Sequence, residues 1–422
     1  MKQEEQVNLV RLLIHFSAPL ASVILMIFGS AFFTTFISVY LDSYGYGKSE
    51  IGYIQSAFFL GMLVGAFQME RLIKRVGHIQ ALAVFGSLLT CMTLAMALYH
   101  DFATWMFLRF LSGLSMAALY IVIESWMLEE SSLTTRGAIL SVYMICLTSA
   151  QSASQQVLQL VEIQSYSPFL ISAIFSSLSV IPVGLSTNRV IIPTGYEPVS
   201  FSDIVKTSPF GITGCFIAGI IMSTIYSFFP IFSETISIPS ANLMSITIAG
   251  GVFLQWPIGK LSDYFERRRT ILIVLAITLA LSIIALNSQF FPAYGTLILF
   301  FFLGGFAFTI YPLSVTQVCD HFDPAVITTA MSLLLIAFGL GSVGGPITTA
   351  YLVAEFGISS IFIYFSLLLA SLLVVGAITS IQRPIVPLEE QTDFIPVPTA
   401  TPVAYEMDPR GDEETDQSIG SL

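Results

Sequence analysis

The chain has 422 residues, of which 55% are hydrophobic and only 10% are charged. A soluble domain carries about 25% charged residues and has no single core able to hide this much apolar surface, so a soluble globular protein is excluded. The net charge of −11 points to no partner, because residues 382–422 hold nine acids against two Arg and supply most of it, and nothing suggests nucleic acid.

The apolar residues gather into twelve runs, each near the ~20 residues that cross a bilayer as helix. The first, 15–41, is too long for a signal-peptide core and reads as an uncleaved membrane helix. Runs two, three and four follow at 50–70, 79–99 and 102–128. At 100° per residue, Arg109, Gly113, Met116, Tyr120 and Glu124 of the fourth run fall within about 60° of one line. The fifth run, 137–161, carries Gln151, Gln155 and Gln159 at four-residue spacing, beside Thr148 and Ser154. The sixth is 167–187, and the longest polar interruption follows at 188–208. Runs seven to twelve lie at 209–232, 241–259, 270–289, 293–319, 325–353 and 358–381. Interior Gly and Pro (Gly61, Gly65, Pro230, Pro257, Gly304, Gly305, Pro346) predict close-packed or bent helices. The tail, 382–422, is rich in Pro, Thr and acids and is expected to be a disordered cytoplasmic segment.

The basic residues set an expected orientation. With the first residue inside, all but two of the 16 Lys and Arg fall in inner loops or the tail; Lys48 lies outside and Arg109 within a run. Both termini are therefore expected in the cytoplasm. The chain also repeats itself: ERLIKRVGH (70–78) answers GKLSDYFERRR (259–269), and Tyr120 to Gln156 runs parallel to Tyr311 to Ile347. The predicted architecture is an all-α membrane protein of twelve transmembrane helices in two pseudo-symmetric halves. Residues 1–187 and 209–381 are the six-helix halves, 188–208 a central cytoplasmic loop, and the binding site is expected between the halves near the midplane.

The loop after the eighth run reads Gly259-Lys-Leu-Ser-Asp263-Tyr-Phe-Glu-Arg267-Arg268 and resembles GxLxDxxxRR, a loop motif of the major facilitator superfamily. A Gly lets helices approach, an Asp at a helix end suits the positive N-terminus of another helix, and the Arg pair stays available for carboxylates. Asp263 is expected beside the start of the fifth helix, near Thr134 to Gly137. In the first half Lys74 stands where the Asp would be, so that copy is degenerate. Arg109-Phe-Leu-Ser-Gly113 is similar to the RxxxG element of proton-coupled facilitators.

The segments LIKRVGHI (72–79), IVIESWML (121–128), TRGAILSVYM (135–144), LQWPIGKLSD (254–263), YPLSV (311–315) and PVPTATPVAYEMDPR (396–410) resemble the YcaD-type branch of bacterial major facilitators. The resemblance implies the facilitator fold in a bacterial cytoplasmic membrane, without fixing a substrate. The chain departs from that branch at Ser154-Gln155, where Gly-Gln is usual, and at Gln317, where a His is usual. Gly341-Ser-Val-Gly-Gly345-Pro346 in the eleventh run resembles the GxxxGP pattern that antiporters carry in the fifth.

Candidate cavity residues are Arg109, Tyr120, Gln151, Gln155, Tyr311 and Gln317. Candidate gating residues are Glu124, Arg136, Gly259, Asp263, Arg267 and Arg268. An ionisable group inside a span is costly, so Arg109 reads either as a coupling cation or as a structural residue bound to carbonyls. Glu124 reads as an inner-gate group paired with Arg136 or Arg267. The glutamines serve as interhelical ties or as hydrogen-bonding sites for a solute. The four His residues lack metal-ligand spacing and no GxxxxGKS loop is present, so no enzyme, metal or cofactor is expected and energy comes from a gradient. The expected activity is secondary, proton-coupled transport of a small organic solute by a monomer in the lipid bilayer. Nutrient or siderophore import, amphiphile export and a non-transporting receptor or assembly protein stay open.

Overall fold

The computed structural model describes residues 13–132, 134–185, 206–382 and 386–411. Twelve long helices form the bundle among the described residues: α1 Ser17–Ser43, α2 Lys48–Val76, α3 His78–Leu98, α4 Phe102–Glu129, α5 Arg136–Ser154 and α6 Ser167–Gly184 in the first half. The second half comprises α7 Pro209–Thr235, α8 Ser240–Tyr264, α9 Arg267–Ala285, α10 Ala293–Cys319, α11 Pro324–Phe356 and α12 Ser360–Gln382. Eleven of the described helices are long and apolar enough to cross a membrane. The twelfth, α5, falls short because it is studded with Ser, Thr and Gln; it ends at Ser154 and continues as a 3₁₀ turn, Gln155–Gln159. Most of the expected central loop, 188–205, lies outside the described residues.

Local signals set several ends. Asp101 caps α4 by accepting from the Thr104 N–H at 2.9 Å. Gly77 and Gly357 end α2 and α11 with φ of 93° and 81°, in the region only glycine adopts freely. Inside each half, helices interlock through glycine. A Cβ on Gly61 of α2 would lie 2.0 Å from the Phe110 carbonyl oxygen of α4, and one on Gly113 of α4 2.1 Å from that of Phe58. The second half repeats the device, with Gly250 of α8 against Phe301 and Gly304 of α10 against Thr247.

The halves meet along α2 with α11 and α5 with α8. The Ser56 hydroxyl donates to the Val343 carbonyl at 2.8 Å, and Gly52 lies against Pro346 and Ala350. Ser152 and Ser245 exchange hydroxyl-to-carbonyl bonds of 2.9 and 3.0 Å, and the Gln159 amide donates to Asn242 at 2.7 Å. These contacts lie towards one end of the bundle. At the other end the halves are spread apart, and the tail fills the gap.

The expectation of a disordered tail is corrected for residues 386–411. They form 3₁₀ turns at Leu388–Glu390, Pro402–Met407 and Pro409–Gly411, and Phe394, Val397, Thr401, Val403, Ala404, Tyr405 and Met407 are buried. Of the tail's nine acids, Glu389, Glu390 and Asp393 precede the stretch from Phe394 to Met407 and five follow it from Asp408 onward, so the composition of the whole tail masks a stretch whose one acid is Glu406. Four prolines in that stretch and its flank (396, 398, 402 and 409) limit the conformational entropy lost on docking.

Candidate functional site

A central cavity of ≈ 200 Å³ lies between the halves. Its wall draws on α1, α2, α4 and α5 from the first half, on α7, α8, α10 and α11 from the second, and on Val397–Ala400 of the tail, which form its floor. No charged side chain lines it among the described residues. Met62, Met116, Met144 and Met222 contribute adaptable apolar surface, with Phe58, Phe59, Phe308 and Phe338 around them. Its polar side chains are all neutral: Ser30, Thr34, Tyr120, Thr148, Gln151, Ser223, Tyr226, Gln255, Tyr311, Ser342 and Thr399. The Tyr226 hydroxyl donates to the Gln151 side-chain oxygen at 3.1 Å, tying the halves across the cavity.

Of the six candidate cavity residues, Tyr120, Gln151 and Tyr311 are on this wall. The other three are elsewhere, and those placements are corrections. Arg109 is buried behind Phe58: it donates to the Gln55 side-chain oxygen at 2.8 Å, and its guanidinium carbon lies 4.2 Å from the Phe58 ring centre. Gln55 in turn donates to the Thr34 carbonyl at 2.9 Å and to the Ser38 hydroxyl at 2.6 Å. No carboxylate pairs with Arg109 among the described residues. The hundred-degree rule placed Arg109 on the same broad stripe as Tyr120, but α4 is enclosed on most sides and that stripe spans the boundary between cavity and α2. Gln155 is fully buried at the end of α5 and donates back to the Gln151 carbonyl at 3.2 Å. Gln317 is buried near the tail end of α10, where it accepts from Ser208 at 3.4 Å.

Glu124 follows Tyr120 by one turn and sits beneath the cavity. It pairs with neither Arg136 nor Arg267. One oxygen accepts from the Tyr143 hydroxyl at 2.7 Å and the other from the Thr401 hydroxyl of the tail. It is fully buried, so two neutral donors, not a cation, satisfy this carboxyl.

The loop motif performs a different task from the one expected. Gly259 faces the ring of Phe394 and not another helix: a Cβ there would lie 2.1 Å from two ring carbons. Asp263 is not at the start of α5; it accepts the Phe394 main-chain N–H at 2.8 Å and pairs with Lys260 at 3.1 Å and Arg267 at 3.3 Å. Arg267 also reaches Asp320 at 3.3 Å and donates to the Thr392 carbonyl. Asp320 accepts both the N–H and the hydroxyl of Thr392, at 3.0 and 2.9 Å. Burial pushes the Asp320 carboxyl up, against the pull of Arg267 and Thr392. Arg268 donates to the Thr379 carbonyl at 3.3 Å, and Arg136 opens α5 near Glu406. In the degenerate copy Lys74 pairs with Glu70 at 2.6 Å.

Sequence reasoning missed Gln55, Tyr143, Tyr226 and Asp320, which are ordinary polar residues in apolar runs or at their ends. It also missed the tail's Phe394, Thr401 and Tyr405. Tyr405 shares a 2.7 Å hydrogen bond with Tyr311 and donates to the Pro398 carbonyl at 3.1 Å. The available signal was that the family likeness continued through 396–410.

Comparison with known proteins agrees with this architecture. The profile described as Major Facilitator Superfamily matches residues 20–253 and 212–401. An uncharacterized MFS-type transporter of Yersinia pestis (strain Pestoides F) is 25% identical over 362 residues, covering 82% of this chain and 90% of its own. The uncharacterized MFS-type transporter YcaD of Escherichia coli O17:K52:H18 is 26% identical over 353 residues with the same coverage. Among solved structures, the nucleoside transporter NupG superposes with a TM-score of 0.71 at 14% identity, covering 86% of this chain and 98% of its own. A bacterial homolog of the human lysosomal transporter Spinster, inward-facing and unoccupied, gives 0.64 at 12%, covering 93% and 96%. At such identities the solved structures speak to fold alone.

Proposed function

Because the chain belongs to the major facilitator superfamily, a family of multi-pass membrane transporters, we propose that it moves a small, uncharged organic solute through the central cavity by alternating access, coupled to protons. The observation that carries this reading is the cavity wall, built from both halves and, among the described residues, without a charged side chain. An ion entering it would lose its hydration with no counter-charge in return, at a cost of several kcal/mol. A neutral solute meets apolar surface plus the donors and acceptors of Gln151, Gln255, Thr148 and the three tyrosines. The volume of ≈ 200 Å³ is below the ~300–1,000 Å³ of drug-sized sites, which favours a small metabolite over a siderophore while the tail is docked.

In this reading the tail end, where the basic residues gather, faces the cytoplasm. Glu124 is the proton site: a buried carboxylate held only by hydroxyl and main-chain donors changes its charge far more readily than one fixed by a cation. Arg109, lacking an exchangeable anion, is a structural tie between α4 and α2. Right-side-out vesicles with an imposed pH gradient, screened against labelled neutral metabolites, test this. Gradient-driven accumulation or extrusion is expected, and Glu124→Gln should retain exchange while losing the gradient dependence. Correctly inserted protein that moves only charged solutes, or a Glu124→Gln variant that still accumulates solute, would overturn the assignment.

A further inference from the structure

The tail does not merely lie against the bundle; it occupies the space between the halves as a bound peptide would. Its main chain is gripped by two carboxylates: Asp263 takes the Phe394 N–H and Asp320 the Thr392 N–H. Arg267 bridges those carboxylates and takes the Thr392 carbonyl. Phe394, only 3% exposed, fills the hollow over Gly259. Further along, Thr401 reaches Glu124 on α4, Tyr405 reaches Tyr311 on α10, and Arg410 donates to Thr316 on α10 at 3.2 Å while paired with Asp408. One peptide therefore touches the first half and the second at once.

We propose that the opening between the halves at the tail end is a peptide-binding site whose ligand is the chain's own segment 392–410, and that docking of this segment and closure of that end exclude one another. Alternating access requires the tail ends of α4 and α10 to approach when the seam at the opposite end opens. The segment stands between Glu124 on α4 and Tyr311 on α10, so the swing cannot finish until it leaves. A docked tail holds the carrier in the arrangement seen here, with Val397–Ala400 covering the cavity. The segment acts as a tethered competitor for the space the cycle needs.

The test needs no transported solute. Native cysteines are replaced by Ser, Met116→Cys is introduced as a reporter on the cavity wall, and a small membrane-impermeant maleimide is added from the tail side. The chain ending at Gln382 should label at least about tenfold faster than the full chain. A synthetic peptide of residues 386–411 at about 1 mM, the order of concentration a short tether provides, should slow it again. Should the shortened chain fail to yield monodisperse protein, Gly259→Leu in the full chain, which takes the space of the Phe394 ring, replaces it: it should label faster by the same factor, and the added peptide, whose own Phe394 needs that space, should not slow it. Equal labelling of the full chain and of whichever variant is used, or a peptide without effect on the shortened chain, overturns the proposal. Because labelling is independent of transport, this failure is separable from a failure of the solute-carrier reading.

Discussion

The Phe394 ring occupies the space that any side chain on Gly259 would need, its nearest carbons 2.1 Å from the position of a Cβ. The glycine of the loop motif is thus a socket for the tail, and the two residues can be tested from either side. Burying a Phe side chain contributes about 1.5–3 kcal/mol. Phe394→Ala should therefore weaken docking about 10- to 150-fold, and Gly259→Val should do the same without touching the tail. Both are read as faster labelling of a cavity cysteine. An unchanged rate in both variants would show that the ring does not anchor the segment.

Docking should also depend on pH. Burial pushes the Glu406 carboxyl up from its ordinary 4.5 to about 7, with Glu70 adding to the rise and Lys74 and Arg136 opposing it. These three, on α2 and α5, are the charged groups facing it. A carboxyl raised on docking holds a proton that the released tail gives up. Docking is therefore strongest below about pH 4.5, weakens as pH climbs towards 7, and is weakest above it. Reporter labelling, corrected with a surface cysteine for the pH dependence of the reagent, should accelerate across that window. Glu406→Gln should flatten the curve; a curve with the same slope in that variant would remove Glu406 from the explanation.

Arg109 is clamped by an uncharged partner, Gln55, and the prediction is about stability. Losing a buried hydrogen bond to a charged group costs about 1.5–3 kcal/mol, so Gln55→Ala should lower thermal stability in detergent by that order. Arg109→Lys should do no better, because the ammonium cannot span the Gln55 oxygen and the Phe58 ring together. The pH profile of transport should stay unchanged in both. A shifted profile in Arg109→Lys would return Arg109 to the coupling path.

Ser152 and Ser245 place their hydroxyl oxygens 3.3 Å apart across the seam. In a background without native cysteines, Ser152→Cys with Ser245→Cys should cross-link on mild oxidation and lock that end. Transport should then stop and return with reductant. Full transport by cross-linked protein would mean that this seam does not open in the cycle.

Much of this architecture was legible because hydrophobic length is a strong signal. The run 293–319 coincides with α10, and 102–128 falls one residue short of α4. The asymmetry of the site was not, because a helical stripe says which residues share a face and not which neighbour that face meets. Tyr120 meets the cavity and Arg109 meets Gln55, although both lie on one stripe of one helix. The tail was illegible for another reason. Its acids averaged away an apolar stretch whose partners, Gly259 and Tyr311, lie far off in the chain and carry no periodicity.

The glycine interlocks of α2 with α4 and α8 with α10 make each half a stiff block, so whatever strain a cycle generates must collect where the blocks touch. At the closed end that contact is thinly bonded: Ser56 to Val343, Ser152 with Ser245, and Gln159 to Asn242. At a net ~0.5–1.5 kcal/mol per hydrogen bond, parting them costs only a few kcal/mol. Moving a two-state equilibrium from 1:99 to 99:1 takes about 5.5 kcal/mol of preferential binding. In the proposed cycle, those few hydrogen bonds are therefore a cost of the same order as the preference that a single small molecule has to supply.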